Sequence, residues 1–577
     1  MSRTERDLEA AAVAVPAQSD PRDSDETQDL VDAAATKVST TLDPRSPTLS
    51  RTSTTVGDAA PTSNGEVKSE DKAAESRQSP NAEKARSDVE KLEATASQEE
   101  GPGQAKDVIL VTWDSPESLE NPRNWSRARK WSVVNLISIY ALLAAVGSSV
   151  CAPALPEMAE EFGVTSEIQR NLMLSIFVLA FALGPLVLAP ISEVYGRTLV
   201  LQITTVFFVI FMIACCVAQN YAQIVAFRFL AGLGGSASLV VGGGSISDMF
   251  TNEQRGSAMS LYSMGPLLGP CVGPIIGGFI VQELQEWRWT FGVVAIGTAA
   301  FSVIGFFLLR ESYPPRILAL KAARQRKETG DHRYTTQWIQ QDLAAGGWAA
   351  RFSRHLERPV VMLTTQPLVI VFSLYSALLY GTLYILITTF DGLFVNEYGM
   401  KPGIASLNYI ALSVGCLVGS LTCGRMTDHV YKKLQARHGG VGIPEYKLPI
   451  MMVQSFLIPI GMLIYAFTAG RTHWIGPDVG AAVFTFGMMT SITVRAYLVD
   501  CYQLYASSVL SANNLARNIA AFAFPLAAPA LFGDLGYGVG GTIIAVLAAV
   551  LGIPSPFLFW KYGPRLRAAS NYARDAV

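Results

Sequence analysis

The sequence predicts an all-α integral membrane protein with twelve transmembrane helices in two six-helix repeats. Three observations lead to this fold class. Half of the 577 residues are hydrophobic and only 16 % are charged. Apolar segments of about 20 residues, the length that crosses a hydrocarbon core of about 30 Å, recur along the chain. Basic residues gather beside alternate ends of these segments, and an acid–base pattern repeats in both halves.

Twelve apolar segments fit the length of a membrane-spanning helix, and we number them spans 1 to 12. A long polar segment, 311–365, separates the first six from the last six. It divides the chain into an N-terminal bundle over 107–310 and a C-terminal bundle over 366–567, followed by a short cytoplasmic tail, 568–577. The predicted limits of the spans are 132–152, 172–191, 199–218, 223–246, 258–281, 290–309, 366–387, 404–423, 448–468, 475–496, 508–531 and 540–560.

The first 106 residues differ in composition from the rest of the chain. They are rich in Ser, Thr, Asp, Glu, Lys and Pro and contain hardly an aromatic residue. Such a segment cannot bury enough apolar surface to offset the entropy lost on ordering. We therefore predict a disordered cytoplasmic tail over 1–106. Its first residues contain no apolar signal-peptide core, so span 1 is expected to direct insertion.

The orientation of the spans follows from the basic residues, which resist translocation when they flank a span. Lys and Arg precede span 1, fill the segment 311–365 and follow spans 8 and 12, whereas the opposite loops are mainly acidic. Both termini and the middle segment are therefore predicted to be cytoplasmic. The sequon at Asn124 then faces the cytosol and should carry no glycan.

Enzymatic and cofactor signatures are missing from the sequence. The seven cysteines form no CxxC pair and the five histidines are scattered in loops, so neither a disulfide framework nor a metal site is expected. The phosphate-binding pattern GxxxxGK[ST] and the patterns GxSxG and HExxH are absent. We expect a protein without cofactor or catalysis, driven by an ion gradient. Its partners would be a small molecule, protons and the bilayer, without nucleic acid, and it would be monomeric.

An acid and a base recur at matching places in the two halves. Glu193 and Arg197 follow span 2, and Arg425 and Asp428 follow span 8. We expect each pair on a short cytoplasmic turn, with Glu193 and Arg197 one helical turn apart, the favourable order for such a pair. An ordinary surface ion pair is one interpretation. The other is a latch that holds a cytoplasmic gate shut when two repeats rock against each other.

Five segments are distinctive: Asn121-Pro-Arg-Asn-Trp125-Ser126, Glu193-x-x-Gly196-Arg197, Arg228-Phe-Leu-Ala-Gly232, Gly265-Pro266 to Gly278 and Pro444-Glu-Tyr-Lys-Leu448. They resemble the major facilitator superfamily, specifically its fungal twelve-span drug:proton antiporters, and the resemblance extends from Trp113 to about Arg567. The resemblance implies the major facilitator fold and proton-coupled export by alternating access. Ala189 and Thr198 depart from the loop motif of the wider superfamily, which often has Gly and a base there.

Span 5 contains glycine and proline at a regular spacing of four residues. Four residues advance a helix by about 400°, so these glycines form one slowly drifting stripe that lets another helix approach closely. The prolines remove repeated hydrogen bonds and favour a bend. A kinked structural helix is the simpler interpretation. The resemblance implies instead a pliable interface between the two halves, formed by Gly265, Pro266, Gly269, Pro270, Gly273, Pro274 and Gly277.

Arg228 in span 4 is the expected proton-coupling residue. A guanidinium in hydrocarbon is costly, so it should face the bundle interior with a partner, unless it reaches the outer headgroups. Because arginine does not titrate, it would act on a nearby acid or hold an anionic group. The acid that binds the proton is not evident from the sequence.

The polar residues within the spans bear on the substrate. Arginine outnumbers acids in the span interiors, which favours a neutral or acidic amphiphile over a polycation, although Arg495 and Arg517 could instead pair with Asp500. Possible substrate-lining residues are Asn135, Tyr375, Tyr384 and Asn514. The function predicted is proton-coupled export of a drug, secondary metabolite, glycolipid or organic acid.

Other functions remain open at this point. An importer of a small nutrient or polyamine could have the same fold, because fold alone does not set direction. A receptor on the same scaffold is a further alternative. The location predicted is the plasma membrane, with a vacuolar or secretory-vesicle membrane as the alternative.

Overall fold

The structure, a computed structural model, describes residues 108–344, 346–440, 442–570 and 572–573. Within these residues, twelve helices are long and apolar enough to cross a membrane, which confirms the predicted number and order of spans. The tail predicted for 1–106 lies outside the described residues. The twelve spans are Arg127–Ser149, Glu167–Tyr195, Arg197–Cys216, Tyr221–Met249, Gln254–Leu284, Arg288–Leu308, Pro367–Glu397, Pro402–Arg437, Pro444–Thr468, Ile475–Cys501, Gln503–Asp534 and Gly536–Ala569.

Several spans are longer than predicted. Span 8 is the extreme case, since its helix Tyr409–Arg437 continues well past the predicted end at residue 423. A hydropathy template stops at the last apolar residue, whereas a helix keeps its internal hydrogen bonds after it leaves the hydrocarbon. The residues Arg425 and Asp428 therefore lie on a continuous helix, and the short turn predicted for them is wrong.

The C-terminal spans are built from shorter helical pieces. Proline occupies the first or second position of several of these pieces, where its missing N–H costs no hydrogen bond. The α-helix of span 5, Asn252–Leu284, begins six residues before the predicted start at residue 258. The pieces of spans 7 to 12 are Pro367–Gly392 and Leu393–Glu397; Pro402–Leu407 and Tyr409–Arg437; Pro444–Lys447 and Leu448–Thr468; Ile475–Met488 and Thr490–Cys501; Gln503–Tyr505, Ala506–Ala528 and Pro529–Asp534; Gly536–Gly552 and Pro554–Ala569.

Spans 3 and 6 have broad exposed faces made of large apolar side chains. They include Ile203, Ile210, Phe306 and Phe307. Such faces would be unstable in water and match the hydrocarbon of a bilayer. Spans 3 and 6 therefore lie at the lipid-facing side of their bundle.

The middle segment is mainly helical and is attached to the residues before span 1. It contains the helices Pro314–Thr329, Gln337–Ala344 and Gly347–Thr365. A two-residue strand β1, Ile109–Leu110, pairs in parallel with β2, Tyr334–Thr335. The Lys321 Nζ also lies 2.6 Å from an Asp114 carboxylate oxygen. The predicted boundary between the N-terminal bundle and the middle segment thus runs through contacts that join them.

The residues before span 1 fold into a compact turn. A 3-10 helix, Pro122–Asn124, precedes Ser126, whose hydroxyl accepts a hydrogen bond from the Arg129 N–H and caps span 1. The Asn124 side-chain nitrogen donates to the carbonyl oxygens of Pro116 and Ser118, at 2.7 and 3.0 Å. Both of its N–H groups are thereby engaged. The absence of a glycan there stays a prediction.

The two six-helix halves meet along spans 2 and 11 and along spans 5 and 8. Near the outer side, Asn171 donates to the Pro525 carbonyl at 2.8 Å. At the middle of the spans, Asn518 donates to the Phe181 carbonyl at 3.1 Å. The Gly403 N–H donates to the Gln282 side chain at 3.1 Å, again at the outer side. These three hydrogen bonds join the halves from the midplane outward.

Candidate functional site

The glycine stripe of span 5 packs against span 1 of the same half. A side-chain carbon on Gly265 would lie 3.0 Å from the Leu142 backbone nitrogen. The same addition at Gly269 would overlap Ala145 and at Gly273 would overlap Ser149. All of these close approaches are to one neighbouring helix. The two helices can therefore touch backbone to backbone.

This contact corrects the prediction that the stripe forms the interface between the halves. Gly277 also faces span 1, at the Val150 carbonyl, whereas Gly278 meets Ser406 of the other half. The α-helix Asn252–Leu284 is continuous through Pro266, Pro270 and Pro274. The periodicity indicated a close helix contact but could not identify the partner.

Arg228 is completely buried and bound by backbone carbonyl groups. Its Nη1 donates to the Gly147 carbonyl at 2.6 Å, and its Nη2 donates to the Ser148 carbonyl at 2.9 Å. It also donates to the carbonyl oxygens of Met173 and Leu174, both at 3.1 Å. Among the described residues, no carboxylate lies within ion-pair distance of Arg228.

The position of Arg228 explains why so many carbonyl groups are available. Gly147 and Ser148 are among the last residues of the span 1 helix, where carbonyl groups lack partners within the helix. A cation at this end also interacts favourably with the helix dipole. The guanidinium lies over the Phe177 ring, 4.6 Å from its centroid. Arg228 thus fixes the outer end of span 1 to spans 2 and 4.

A charged cluster closes the turn between spans 2 and 3, which was predicted to be cytoplasmic. Arg197 Nη2 lies 3.8 Å from the Glu193 carboxylate, and its Nε lies 3.5 Å from that of Asp248. Its Nη1 donates to the Ser192 hydroxyl at 2.7 Å. The sequence prediction identified Glu193 and Arg197 but missed Asp248. An acid at the end of span 4, on the side where bases predominate, was the available signal.

Glu311 completes this cluster from the other side. Its carboxylate accepts hydrogen bonds from the backbone N–H groups of Arg197, Thr198 and Tyr313, at 2.9, 3.2 and 2.9 Å. Gly196 separates the helices at φ +102°, and a side chain there would overlap Glu311. The helix of span 2 ends at Tyr195. The prediction that Glu193 and Arg197 lie on one continuing helix is therefore wrong, although they do form a pair.

The equivalent place in the second half has a different arrangement. Arg425 and Asp428 are both exposed and, among the described residues, neither forms an ion pair. The ion pairs here join other elements. Arg567 Nη2 lies 2.9 Å from the buried carboxylate of Glu445, and Lys447 Nζ lies 2.6 Å from that of Asp500. The predicted acid–base pair is thus formed in the first half only.

The four predicted substrate-lining residues have different surroundings. Tyr375 is buried, with its ring against Gly552 of span 12, so it packs within one half and does not line a path. Asn135 is exposed near the N-terminal end of span 1. Asn514 is partly buried. Tyr384 crosses between the halves, with its hydroxyl 3.1 Å from the Ser148 hydroxyl.

An ion pair closes the outer loop between spans 1 and 2. Glu161 accepts hydrogen bonds from both terminal nitrogens of Arg288 and from the Trp287 indole, the latter at 2.6 Å. These hydrogen bonds, Arg288's first, lower the pKa of Glu161 below its ordinary value. At nearby Glu157, burial raises the pKa, and the negative charges of Glu286 and Glu160 raise it further. The pKa values of the two carboxyl groups are therefore shifted in opposite directions.

Comparison with known proteins places this arrangement in a family. A model of the Major Facilitator Superfamily matches residues 137–525. The chain belongs to the major facilitator superfamily. It is 42% identical over 81% of its length to the efflux pump vrtL of Penicillium aethiopicum, covering 92% of that protein. It is 38% identical over 81% of its length to the efflux pump radE of Floropilus chiversii, covering 86% of it.

Solved structures share the fold of this superfamily member. The inward open xylose transporter XylE of E. coli matches with a TM-score of 0.54, 14% identity and coverage of 78% of this chain and 99% of that one. A bacterial homologue of the human lysosomal transporter Spinster matches with a TM-score of 0.52, 16% identity and coverage of 77% and 98%. At these identities the similarity concerns the fold alone. The predicted major facilitator fold is confirmed, and the chain is a multi-pass membrane protein.

Proposed function

We propose that this chain is a proton-coupled secondary transporter that exports a small amphiphilic organic compound from the cytoplasm by alternating access. Relatives that are named efflux pumps support the direction, since they align with most of the chain. The architecture supports the mechanism, because the two six-helix halves meet along an interface that carries polar side chains from the middle of the spans outward.

One observation carries the proposal, namely that Arg228 holds the part of span 1 that contacts the other half. The Ser148 carbonyl binds Arg228, and the Ser148 hydroxyl contacts Tyr384 of span 7. A movement between the halves at Tyr384 therefore acts on a residue that Arg228 binds. This gives Arg228 a route to coupling through backbone groups, without an adjacent acid.

The first experiment measures accumulation of candidate compounds in cells that lack the protein, at two external pH values. Loss of an exporter raises the internal amount of its substrate, and a coupled exporter depends on the pH gradient. An internal amount that falls when the protein is absent would contradict export.

Arg228→Ala should abolish pH-dependent transport. The substitution leaves carbonyl groups unsatisfied, at about 1–3 kcal/mol for each buried group, so the amount of protein in the membrane must be measured too. Arg228→Lys is the matched control because it keeps the charge with fewer donors, and we expect it to retain part of the transport. Undiminished pH-dependent transport by Arg228→Ala at normal membrane levels would contradict the assignment.

An importer of a small nutrient is the second candidate. Its support is the fold shared with a protein titled a D-xylose-proton symporter, because the same fold serves both directions. The accumulation experiment separates the two, since loss of an importer lowers the internal amount of substrate. We place the exporter in the plasma membrane as a monomer. Microscopy of the tagged full chain distinguishes this location from a vacuolar or secretory-vesicle membrane.

A further inference from the structure

Two arginines in the second half lie near each other without an ion-pair partner. Arg517 is midway along the helix Ala506–Ala528 of span 11, and Arg495 belongs to span 10. They are close enough for their positive charges to repel each other, and both interact electrostatically with groups on span 7. Neither guanidinium has a carboxylate within ion-pair distance among the residues that the structure describes.

The acid that could have neutralised them is already paired. Asp500 lies near Arg495 in sequence, but its carboxylate is bound by Lys447 at 2.6 Å. Among the described residues, Arg495 donates to the Ser491 carbonyl of its own helix, at 3.2 Å, and to no other group. The Nε of Arg517 is buried and donates no hydrogen bond. The side chains of both arginines therefore retain donors for a ligand.

The Arg517 side chain points toward the interior of the bundle. On span 11, Ile519, Ala523 and Ala527 form an exposed stripe that faces lipid. Arg517 lies two residues before Ile519, which is about 200° around the helix. Its guanidinium carbon is 4.1 Å from the centroid of the Tyr380 ring of span 7. Arg517 is thus held on the inner face of span 11.

Other polar groups adjoin this position. Asn514 is partly buried and lies three residues before Arg517, so both belong to one helix face. The next residue after Arg517, Asn518, binds the Phe181 carbonyl of the other half. Tyr384, which interacts with Arg517, reaches Ser148 of span 1. The arginines therefore lie beside the junction between the halves.

We propose that Arg495 and Arg517, with Tyr380, bind the carboxylate or equivalent anionic group of the transported compound. Two unneutralised guanidinium groups within a membrane are costly, and an anion removes that cost. A guanidinium can donate two parallel hydrogen bonds to a carboxylate, and the Tyr380 ring keeps Arg517 oriented. The substrate class is accordingly an amphiphilic organic anion. This inference rests on the proposed function and adds the charge of its substrate.

The test compares two dyes that share a xanthene skeleton, anionic fluorescein and cationic rhodamine 123. Their binding to the purified full chain in nanodiscs is measured by fluorescence anisotropy at neutral pH. We expect fluorescein to bind at least about tenfold more tightly. Arg517→Gln and Arg495→Gln should each remove this preference, and Arg517→Glu should reverse it. Arg517→Lys should keep part of it.

Arg565→Gln is the matched control, because Arg565 is exposed at the cytoplasmic end of span 12. It should bind both dyes as the unaltered protein does. The melting temperature of each variant identifies any that fail to fold. If Arg517→Gln does not fold, Arg495→Gln provides the independent test. Equal or absent binding of fluorescein by the unaltered protein overturns the anionic site, as does unchanged binding by folded Gln variants. Export in the cell assay despite that result would leave the proposed function standing.

Discussion

At the scale of single residues, Gly196 determines whether the turn between spans 2 and 3 can form. Its φ of +102° is a conformation that side-chain-bearing residues rarely adopt, and Glu311 occupies the space beside it. Strain of this kind costs about 1–3 kcal/mol. The same turn positions Arg197 between Glu193 and Asp248. A change of one methyl group therefore affects the whole charged cluster.

We predict that Gly196→Ala lowers the thermal stability of the purified protein and reduces transport. Gly424→Ala is the control, because Gly424 also precedes an arginine but lies within a helix with nothing within 4 Å of the added carbon. It should behave as the unaltered protein. Equal melting temperatures for the two variants would show that Glu311 does not restrict the turn.

Glu161 provides a prediction for pH. Hydrogen bonds from Arg288 lower its pKa, so the folded state favours the ionised carboxylate. Its stabilising contribution is complete above the ordinary value of 4.5 and is lost as the pH falls below that value. The effect is small because the side chain of Glu161 is 40% exposed.

We expect the melting temperature to fall as the pH drops below 4.5, and to fall less in Glu161→Gln. The measurement is thermal unfolding of both proteins at several pH values. Glu160→Gln is the comparison, because among the described residues no ion pair involves Glu160. Identical acid-induced losses in the unaltered protein and Glu161→Gln would exclude a role for this ion pair.

At the scale of elements, the contact between spans 1 and 5 is the clearest case of sequence dictating packing. Four glycines of span 5 allow the backbone of span 1 to approach along the whole contact. In a membrane, helices gain little from the hydrophobic effect on association, so close van der Waals packing holds them together. A larger side chain in this contact has no space.

We predict that Gly269→Leu blocks transport by separating the two helices, with a loss of about 1–3 kcal/mol from overpacking. Gly256→Leu is the control on the same span, since nothing lies within 4 Å of a side-chain carbon there. If Gly269→Leu transported at the rate of the unaltered protein, close packing of spans 1 and 5 would not be required for transport.

The elements also show where sequence reasoning reaches its limit. Length and hydropathy predict the spans because the bilayer imposes both. The glycine period predicts a close contact, but any of several helices could satisfy it, and the partner was wrongly predicted. Arg228 was correctly expected to be buried, whereas its carbonyl partners belong to helices distant in sequence. Asp248 and Glu311 were missed because they reach Arg197 from elements distant in sequence, although the place of Asp248 at the end of span 4 was a signal.

At the scale of the whole molecule, the halves are joined by hydrogen bonds that lie from the midplane outward. Gln282 and Gly403 form one at the outer side, at 3.1 Å. Alternating access requires such contacts to break once in each cycle, when the outer side opens. The charged cluster around Arg197 lies at the opposite side, within one half. Opening the outer side therefore breaks hydrogen bonds between the halves, whereas the charged cluster at the opposite side joins elements of one half.

The most direct test of this account is a cross-link between Gln282→Cys and Gly403→Cys in an otherwise cysteine-free protein. A side-chain carbon at Gly403 would lie 3.1 Å from Cδ of Gln282, so the two positions adjoin each other across the halves. Each single variant, treated with the same oxidant, is the control. We predict that oxidation joins the halves and stops export of whichever xanthene dye the reduced protein transports, and that reduction restores it. Undiminished export by the fully cross-linked protein would contradict alternating access between these halves.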